Sequence, residues 1–170
     1  MVKVLIPVDD SPNSLTAVRH AVNRFMSGQS MEIHLLHVRK PLSQHVARFL
    51  SRRTRAAWHR EQALKTLAAA RKLLEAAGVP HATHLDLADD KARAIHNAAR
   101  RFGVDQILVG TARDNTITRM LRDSATNRLL DITQVPVQVV AGQTVSTLER
   151  VGVPVGIGAG ALTLLYLVVE

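Results

Sequence analysis

The stretch VKVLIPVDDSPNS (residues 2–14) decides the fold class. An apolar, β-branched run leads directly into two acids, which predicts a buried strand ending at a turn. Ser11 then suits a helix N-cap, and Pro12 suits the first helical position. Apolar residues recur at helical spacing from Ala17 to Phe25, and Gly28 supplies a stop. The stretch therefore predicts a strand followed at once by a helix.

The same strand–helix alternation continues along the chain. Strands are predicted over residues 2–10, 31–38, 81–87, 105–110 and 135–142. Helices are predicted from Ser11, over residues 54–77 with Leu64, Leu67 and Leu74 facing inward, from Asp89 or Asp90 to Phe102, and up to about Ile132. Such alternation favours right-handed crossovers and a parallel sheet covered on both faces. The expected class is α/β, a three-layer sandwich around five parallel strands.

The amino-acid composition indicates a globular protein and excludes cysteine chemistry. With 46% hydrophobic and 21% charged residues, the chain is typical of a globular protein. Cysteine is absent, which excludes a disulfide, a thiolate metal site and a cysteine nucleophile. Because the first residues enter a strand directly, we expect no cleavable signal peptide.

Positive charge is concentrated in one segment. Residues 33–60 contain no acid. They contain seven basic residues, which are Arg39, Lys40, Arg48, Arg52, Arg53, Arg55 and Arg60. Such a block is either a solvated helix face or a surface for an anionic membrane, nucleic acid or phosphorylated ligand.

Two acids stand where the first strand ends. Open α/β sheets bind ligands at the carboxyl ends of their strands. Asp9 and Asp10 could there accept hydrogen bonds from a ribose or a base. They could equally cap the following helix together with Ser11.

The stretch GTARDNTITRMLRDS (residues 110–124) follows the fourth strand. Gly110 permits close backbone approach, and free N–H groups beyond it could bind an anion. Asp123 places a negative charge where a phosphate would lie. Three arginines could offset that charge, namely Arg113, Arg119 and Arg122.

The histidines do not form a metal-binding pattern. His34 and His37 are three apart on one predicted strand, so their side chains face opposite sides of the sheet. His81 and His84 have the same spacing. Neither a helical Glu-x-x-His pair nor a nucleophile-elbow motif is present.

Three segments together identify a family resemblance: VLIPVDDSPNSLTAVRHA, IHLLHV, and the loop after strand four with VPVQVV beyond it. Over roughly residues 2–141 the chain resembles the universal stress protein domain. The resemblance implies a Rossmann-like fold of the adenine nucleotide alpha hydrolase type, homodimers, and in many members an ATP site.

Nucleotide-binding members of that family carry Gly-x-x-Gly-x9-Gly-(Ser/Thr) after strand four. Laid on this chain, the first glycine is Gly110 and the hydroxyl is Ser124, but the other two glycines are replaced by Arg113 and Asp123. A side chain at either position blocks approach of the backbone to a triphosphate. The resemblance therefore implies the branch that does not bind ATP, and no cofactor is expected. If ATP or AMP does bind, the implied contacts are Pro7, Val8, Asp9, Val38, Gly110, Arg113, Ser124, Ala125 and Thr126.

The chain continues past this domain (residues 1–142) through a polar linker (residues 143–150) into VGVPVGIGAGALTLLYLVV (Val151–Val169). Nineteen uncharged residues would span about 28 Å as a helix, close to the roughly 30 Å of a bilayer core. Gly152, Gly156 and Gly160 form a small-residue face that suits helix pairing in a membrane. A C-terminal transmembrane helix is therefore predicted, and the alternative is an apolar helix packed in a dimer.

These features predict a non-catalytic stress-response or signalling protein that forms a homodimer with an unknown protein partner and does not bind nucleic acid. The positive-inside rule places its domain in the cytoplasm, anchored to the inner (plasma) membrane. In that case the basic segment would lie against anionic headgroups. Without insertion the protein would simply be cytoplasmic. The alternative function is an ATP or AMP sensor that uses Asp9, Val38, Gly110 and Ser124. A slow ATPase is disfavoured, because no catalytic base or metal set is identifiable.

Overall fold

The computed structural model describes residues 1–111 and 125–141. Its strands are β1 (Val2–Pro7), β2 (Met31–Arg39), β3 (His81–Leu87), β4 (Gln106–Thr111) and β5 (Val137–Ala141). Its helices are α1 (Pro12–Met26), α2 (Gln44–Ala47), α3 (Arg52–Ala76), α4 (Lys91–Phe102) and α5 (Ala125–Ile132).

The five strands form one parallel sheet in the order β3-β2-β1-β4-β5. β1 is central, with Val4 beside Ile33 of β2 and Leu5 beside Ile107 of β4. The strand order reverses direction between β1 and β4, and this is where open α/β sheets form a crevice. The predicted α/β class is confirmed for this part of the chain.

Side chains of β1 alternate between two apolar layers. Val4 and Ile6 pack with α1 and α3 on one face, whereas Leu5 packs with α4 and α5 on the other. Both layers are mostly aliphatic, because the chain is only 3% aromatic. Because both faces of the sheet are covered by helices, the three-layer arrangement is confirmed.

Two strand ends differ from the prediction. β1 ends at Pro7, although the Val8 N–H still donates to the Leu36 carbonyl at 2.8 Å before the chain turns away. β5 begins only at Val137, because Pro136 has no N–H to donate to a ladder.

One predicted core residue is exposed. Leu67 and Leu74 of α3 are buried as predicted, but Leu64 is 45% exposed. The buried stripe of α3 instead follows Ala63, Leu67, Ala70 and Leu74. Leu64 lies next to Ala63 on the helix and therefore about 100° around its axis, off the narrow face that α3 presents to the sheet.

The helix starts use different caps. Asp90 accepts a hydrogen bond from the Arg93 N–H at 3.2 Å, and Ser51 accepts one from the Thr54 N–H at 3.0 Å. Ser11 occupies the N-cap position of α1 as predicted, but its side chain does not bond the helix. The Ser11 hydroxyl donates instead to Asp9 Oδ1 at 2.6 Å. Asp90, rather than Asp89, is therefore the cap of α4.

Within residues 1–111 and 125–141, no helix is both long and apolar enough to cross a membrane. The predicted C-terminal helix, Val151–Val169, lies outside the described residues. So do the predicted linker and residues 112–124, between β4 and α5.

Gly110 brings β4 into direct contact with the start of α1. A Cβ atom at this position would overlap the backbone carbonyl of Asn13. Since the obstacle is backbone, it cannot move aside as a flexible side chain would. The glycine is thus required by packing alone, whether or not a ligand binds nearby.

Substituting Gly110→Ala should lower the free energy of unfolding by at least about 2 kcal/mol, because α1 must shift away from β4. Gly28 is the matched control, since it has positive φ but open space around its α-carbon. Gly28→Ala should cost only about 1 kcal/mol, the penalty of a left-handed backbone. Chemical denaturation measures both, and equal effects of the two substitutions would contradict the close α1–β4 contact.

Two histidines on neighbouring strands pair beneath α4. Nδ1 of His34 and Nε2 of His84 are 3.1 Å apart, and both rings stack with Phe102. Burial lowers the pKa of both imidazoles; Glu32 partly opposes this at His34, whereas the charge of His34 lowers the pKa of His84 further. Within the described ranges, no group of three or more acidic, histidine or cysteine side chains is arranged to hold a metal ion.

This pairing makes stability depend on pH. Below the ordinary histidine pKa of about 6.5, the unfolded chain binds more protons than the folded one, since the folded-state pKa values of His34 and His84 are lowered. The free energy of unfolding should therefore decrease as the pH falls from about 7 to about 5. His84→Phe keeps an aromatic ring and removes one titrating group, so it should make this dependence shallower. His45→Gln, on an exposed residue outside the stack, is the control. Denaturation at a series of pH values measures the slope, and identical slopes for His84→Phe and the wild type would refute the assignment.

Candidate functional site

A cavity of about 160 Å³ opens at the carboxyl ends of β1 and β4, where the strand order reverses. It is bounded by the strand ends, the start of α1, and the facing helices α4 and α5. Its lining residues are Pro7, Val8, Asp9, Ser11, Ser14, Leu36, Val38, Lys91, Ile95, Val109, Gly110, Thr126 and Leu129.

Most of the predicted nucleotide contacts meet in this cavity. Six of them line it: Pro7, Val8, Asp9, Val38, Gly110 and Thr126. They converge because parallel strands place their carboxyl ends at the same edge of a sheet. Arg113 and Ser124 lie outside the described residues, as do Arg119, Arg122 and Asp123. Ala125 is the first residue of α5, and its side chain is not described.

Asp9 holds the turn between β1 and α1. Its Oδ1 accepts hydrogen bonds from the Ser11 N–H at 3.1 Å and the Ser11 hydroxyl at 2.6 Å. The buried Ser14 hydroxyl lies 2.9 Å from the Asp9 carbonyl and 2.8 Å from the Ser11 carbonyl. Asp9 thus organises an Asx-type turn rather than capping the first N–H groups of α1. It is exposed, so a ligand can still reach it.

Lys91 is a lining residue that the sequence pattern did not indicate. It is the first residue of α4 and follows the cap Asp90. Asp90 also accepts a hydrogen bond from Arg128 of α5 at 2.8 Å, which ties together the two helices beside the cavity. Lys91 is not part of the glycine motif and has no fixed spacing from it. It reaches the site only because of the order of the strands in the sheet. The only local signal was its position after a strand end.

The residues that line this cavity are better suited to ligand binding than to catalysis. Its walls are aliphatic side chains such as Leu36, Ile95 and Leu129, and Asp9 and Lys91 are its charged groups among the described residues. The Ser11 and Ser14 hydroxyls donate within the turn. No described lining residue is a histidine that could activate them as nucleophiles. A mostly apolar cleft with few polar groups is typical of a small-molecule binding site.

The fold is shared with solved structures of low sequence identity. A universal stress protein family protein from Burkholderia pseudomallei is 20% identical with a TM-score of 0.61, over 81% of this chain and 94% of that one. One from Arabidopsis thaliana, solved with AMP bound, is 16% identical with a TM-score of 0.59, over 84% and 93%. A universal stress protein in complex with cAMP is 17% identical with a TM-score of 0.58, over 82% and 96%. At such identities the likeness shows the fold alone.

A comparison with curated protein sequences gave no match. The sequence model of the universal stress protein family, in contrast, matches residues 1–141, which is most of the chain. This match confirms the family that the sequence resemblance indicated, and the chain belongs to the universal stress protein family.

Proposed function

We propose that this protein is a non-catalytic stress-response or signalling module whose nucleotide site is degenerate and does not hold ATP tightly. The observation that carries the proposal is the cavity at the β1–β4 crevice, which has aliphatic walls and Asp9 but no histidine among its described lining residues that could activate the Ser11 or Ser14 hydroxyl. Such a site can bind a small molecule and change the surface offered to a protein partner.

The loop sequence argues against a triphosphate. Backbone N–H groups cradle phosphates only where the chain can approach closely, which is why glycine is used. Arg113 and Asp123 replace two glycines of the family motif. Asp123 also adds a negative charge that repels phosphate in a partly buried site.

A second candidate is an AMP or ATP sensor. It is favoured by Asp9, Val38 and Gly110, which line the cavity as the family resemblance implies. Structural neighbours have been solved with AMP and with cAMP. In this reading Lys91 would supply the positive charge nearest the described part of the site. Ser124 would add the hydroxyl that closes the family motif.

Equilibrium binding of ATP and AMP to the full chain separates the two candidates. We expect no saturable ATP binding at concentrations below about 1 mM, which corresponds to roughly 4 kcal/mol. Restoring both glycines, as Arg113→Gly with Asp123→Gly, should strengthen ATP binding at least about tenfold.

Asp9→Ala is the control in both backgrounds. In the glycine-restored variant it should remove the gained affinity, because the cavity loses its carboxylate and the turn that carries it. Micromolar ATP binding by the wild type that Asp9→Ala abolishes would overturn the degenerate-site proposal and favour the sensor.

The proposal extends to the C-terminal tail. Val151–Val169 would insert in the inner (plasma) membrane, leaving the basic domain in the cytoplasm, and its glycine face would support a homodimer. The length and lack of charge of this segment support insertion. If it does not insert, the protein would act in the cytoplasm as a dimer.

Removing the residues after Arg150 should shift the protein from the membrane fraction to the soluble fraction of lysed cells. A single charge gives a finer test. Ala161→Arg, near the middle of the tail, should weaken insertion because a central arginine costs about 3 kcal/mol. Ser146→Arg, in the linker, adds the same charge outside the segment and should have no such effect. A wild-type chain found wholly in the soluble fraction would refute the anchor.

A further inference from the structure

A second cavity, of about 290 Å³, lies between the start of α3 and the carboxyl end of β3. Its lining residues are Pro41, Leu42, Arg52, Arg55, Ala56, His59 and Leu87. None of them lines the cavity at the β1–β4 crevice. The universal stress protein motif contributes nothing to it.

The polar side of this cavity is one face of α3. Arg52, Arg55 and His59 are spaced three and four residues apart, so they lie above one another on the helix surface. The two arginines stand in or beside the first turn, where the helix dipole is positive and acids are preferred. This turn contains no acid. The arrangement is therefore electrostatically unfavourable unless an anion is present.

No carboxylate of residues 1–111 or 125–141 neutralises these arginines. In the described part of the chain, neither Arg52 nor Arg55 has a salt bridge within 4.0 Å. Other arginines of the domain do pair with acids, among them Arg101 with Asp86 at 3.0 Å and Arg128 with Asp90 at 2.8 Å. The cavity thus collects positive charge that the described residues leave uncompensated.

His59 supplies an independent observation. Its side chain lines the cavity although the residue is only 3% exposed, and neither ring nitrogen has a hydrogen-bond partner among the described residues. Nε of Arg55 is also buried without a partner there. Burial lowers the pKa of His59, and Arg39 and Arg55 lower it further. Buried donors and acceptors that lack partners are costly, so a bound acceptor group would relieve a real deficit.

Two exposed aromatic side chains belong to the same basic segment, residues 33–60, as these arginines. Trp58 is 37% exposed and Phe49 is 77% exposed. The Arg39 guanidinium lies 4.8 Å above the Trp58 ring, and the Arg48 guanidinium lies 4.8 Å above the Phe49 ring. A cation thus lies over each of these aromatic rings, and Trp58 adjoins the cavity wall through its contact with His59.

We propose that this second cavity is a binding site for a phosphate group, held by the guanidinium groups of Arg52 and Arg55 with His59 at its wall. Arginine suits this role because its planar donors match phosphate oxygens in a bidentate geometry. The same chemistry has two sources, the headgroup of an anionic lipid or a free phosphorylated molecule. The proposal rests on described residues that do not line the cavity at the β1–β4 crevice.

Trp58 reports on this cavity directly, since it is the only tryptophan of the chain and its ring lies 4.9 Å from that of His59. We would titrate the full chain, in a neutral detergent, with inorganic phosphate at constant ionic strength adjusted with chloride. A saturable change in Trp58 fluorescence is expected. Arg52→Gln and Arg55→Gln should each weaken phosphate binding about tenfold or more, the usual effect of losing a charged hydrogen bond.

Arg53→Gln and Arg60→Gln are matched controls. They remove the same charge from the same helix at exposed positions that do not line the cavity. Each should change the phosphate affinity less than about twofold, since an exposed charge that does not contact the phosphate contributes little in high-dielectric solvent. Circular dichroism of all four variants checks that the fold is retained.

Vesicles identify the source of the phosphate group. The same chain is added to vesicles of phosphatidylcholine alone and of phosphatidylcholine with phosphatidylglycerol. A Trp58 response that requires phosphatidylglycerol and is reduced by Arg52→Gln but not by Arg53→Gln assigns the site to a lipid headgroup. Saturation by inorganic phosphate, with no added response to phosphatidylglycerol, assigns it to a free phosphorylated molecule.

Two results would overturn the proposal. One is the lack of a saturable response to either probe. The other is equal weakening by all four arginine variants, which would mean that the surface attracts anions diffusely without a site. Neither result affects the ATP measurements, because the two cavities share no lining residue.

Discussion

The contact between Gly110 of β4 and the Asn13 carbonyl of α1 is the constraint on which the site depends. It fixes how close the first helix comes to the end of the fourth strand. The turn at Asp9 and the end of β4 are thereby held on opposite sides of one crevice. A glycine that family comparison would assign to phosphate binding is thus required first by packing. Its presence alone is weak support for a nucleotide.

Some arginines of this domain are paired with acids and others are not. Arg101 of α4 pairs with Asp86, and Arg128 of α5 pairs with Asp90. The arginines at the start of α3 are not paired within the described residues, and they stand where the helix dipole is already positive. Uncompensated charge beside a buried histidine is costly for stability, and proteins usually retain such arrangements for binding. The two cavities differ in charge and share no lining residue, so we expect them to bind different ligands.

Part of the candidate site was predictable from local rules, because Asp9 follows an apolar run that forms a strand and parallel strands end at a common edge. Val38, near the end of β2, was implied by the family resemblance instead. Lys91 was not predictable in this way, since its place at the crevice depends on the order β3-β2-β1-β4-β5. The three-residue spacing indicated that His34 and His37 face opposite sides of the sheet, and likewise His81 and His84. The contact between His34 and His84, however, required knowing that β2 pairs with β3.

Local patterns in the chain were sufficient for the fold class, the succession of strands and helices, and the family. The fold class and the succession of elements follow from hydrophobic periodicity, glycine stops and helix starts, which involve only neighbouring residues. The family follows from the resemblance of three sequence segments to known members. Tertiary structure alone decided which face of α3 is buried, so that Leu64 is exposed while Leu67 is not. It also decided that Arg52, Arg55 and His59 share a cavity with Leu87. The physical reason is that burial and the pairing of charges depend on neighbours distant in sequence, which only the packed chain brings together.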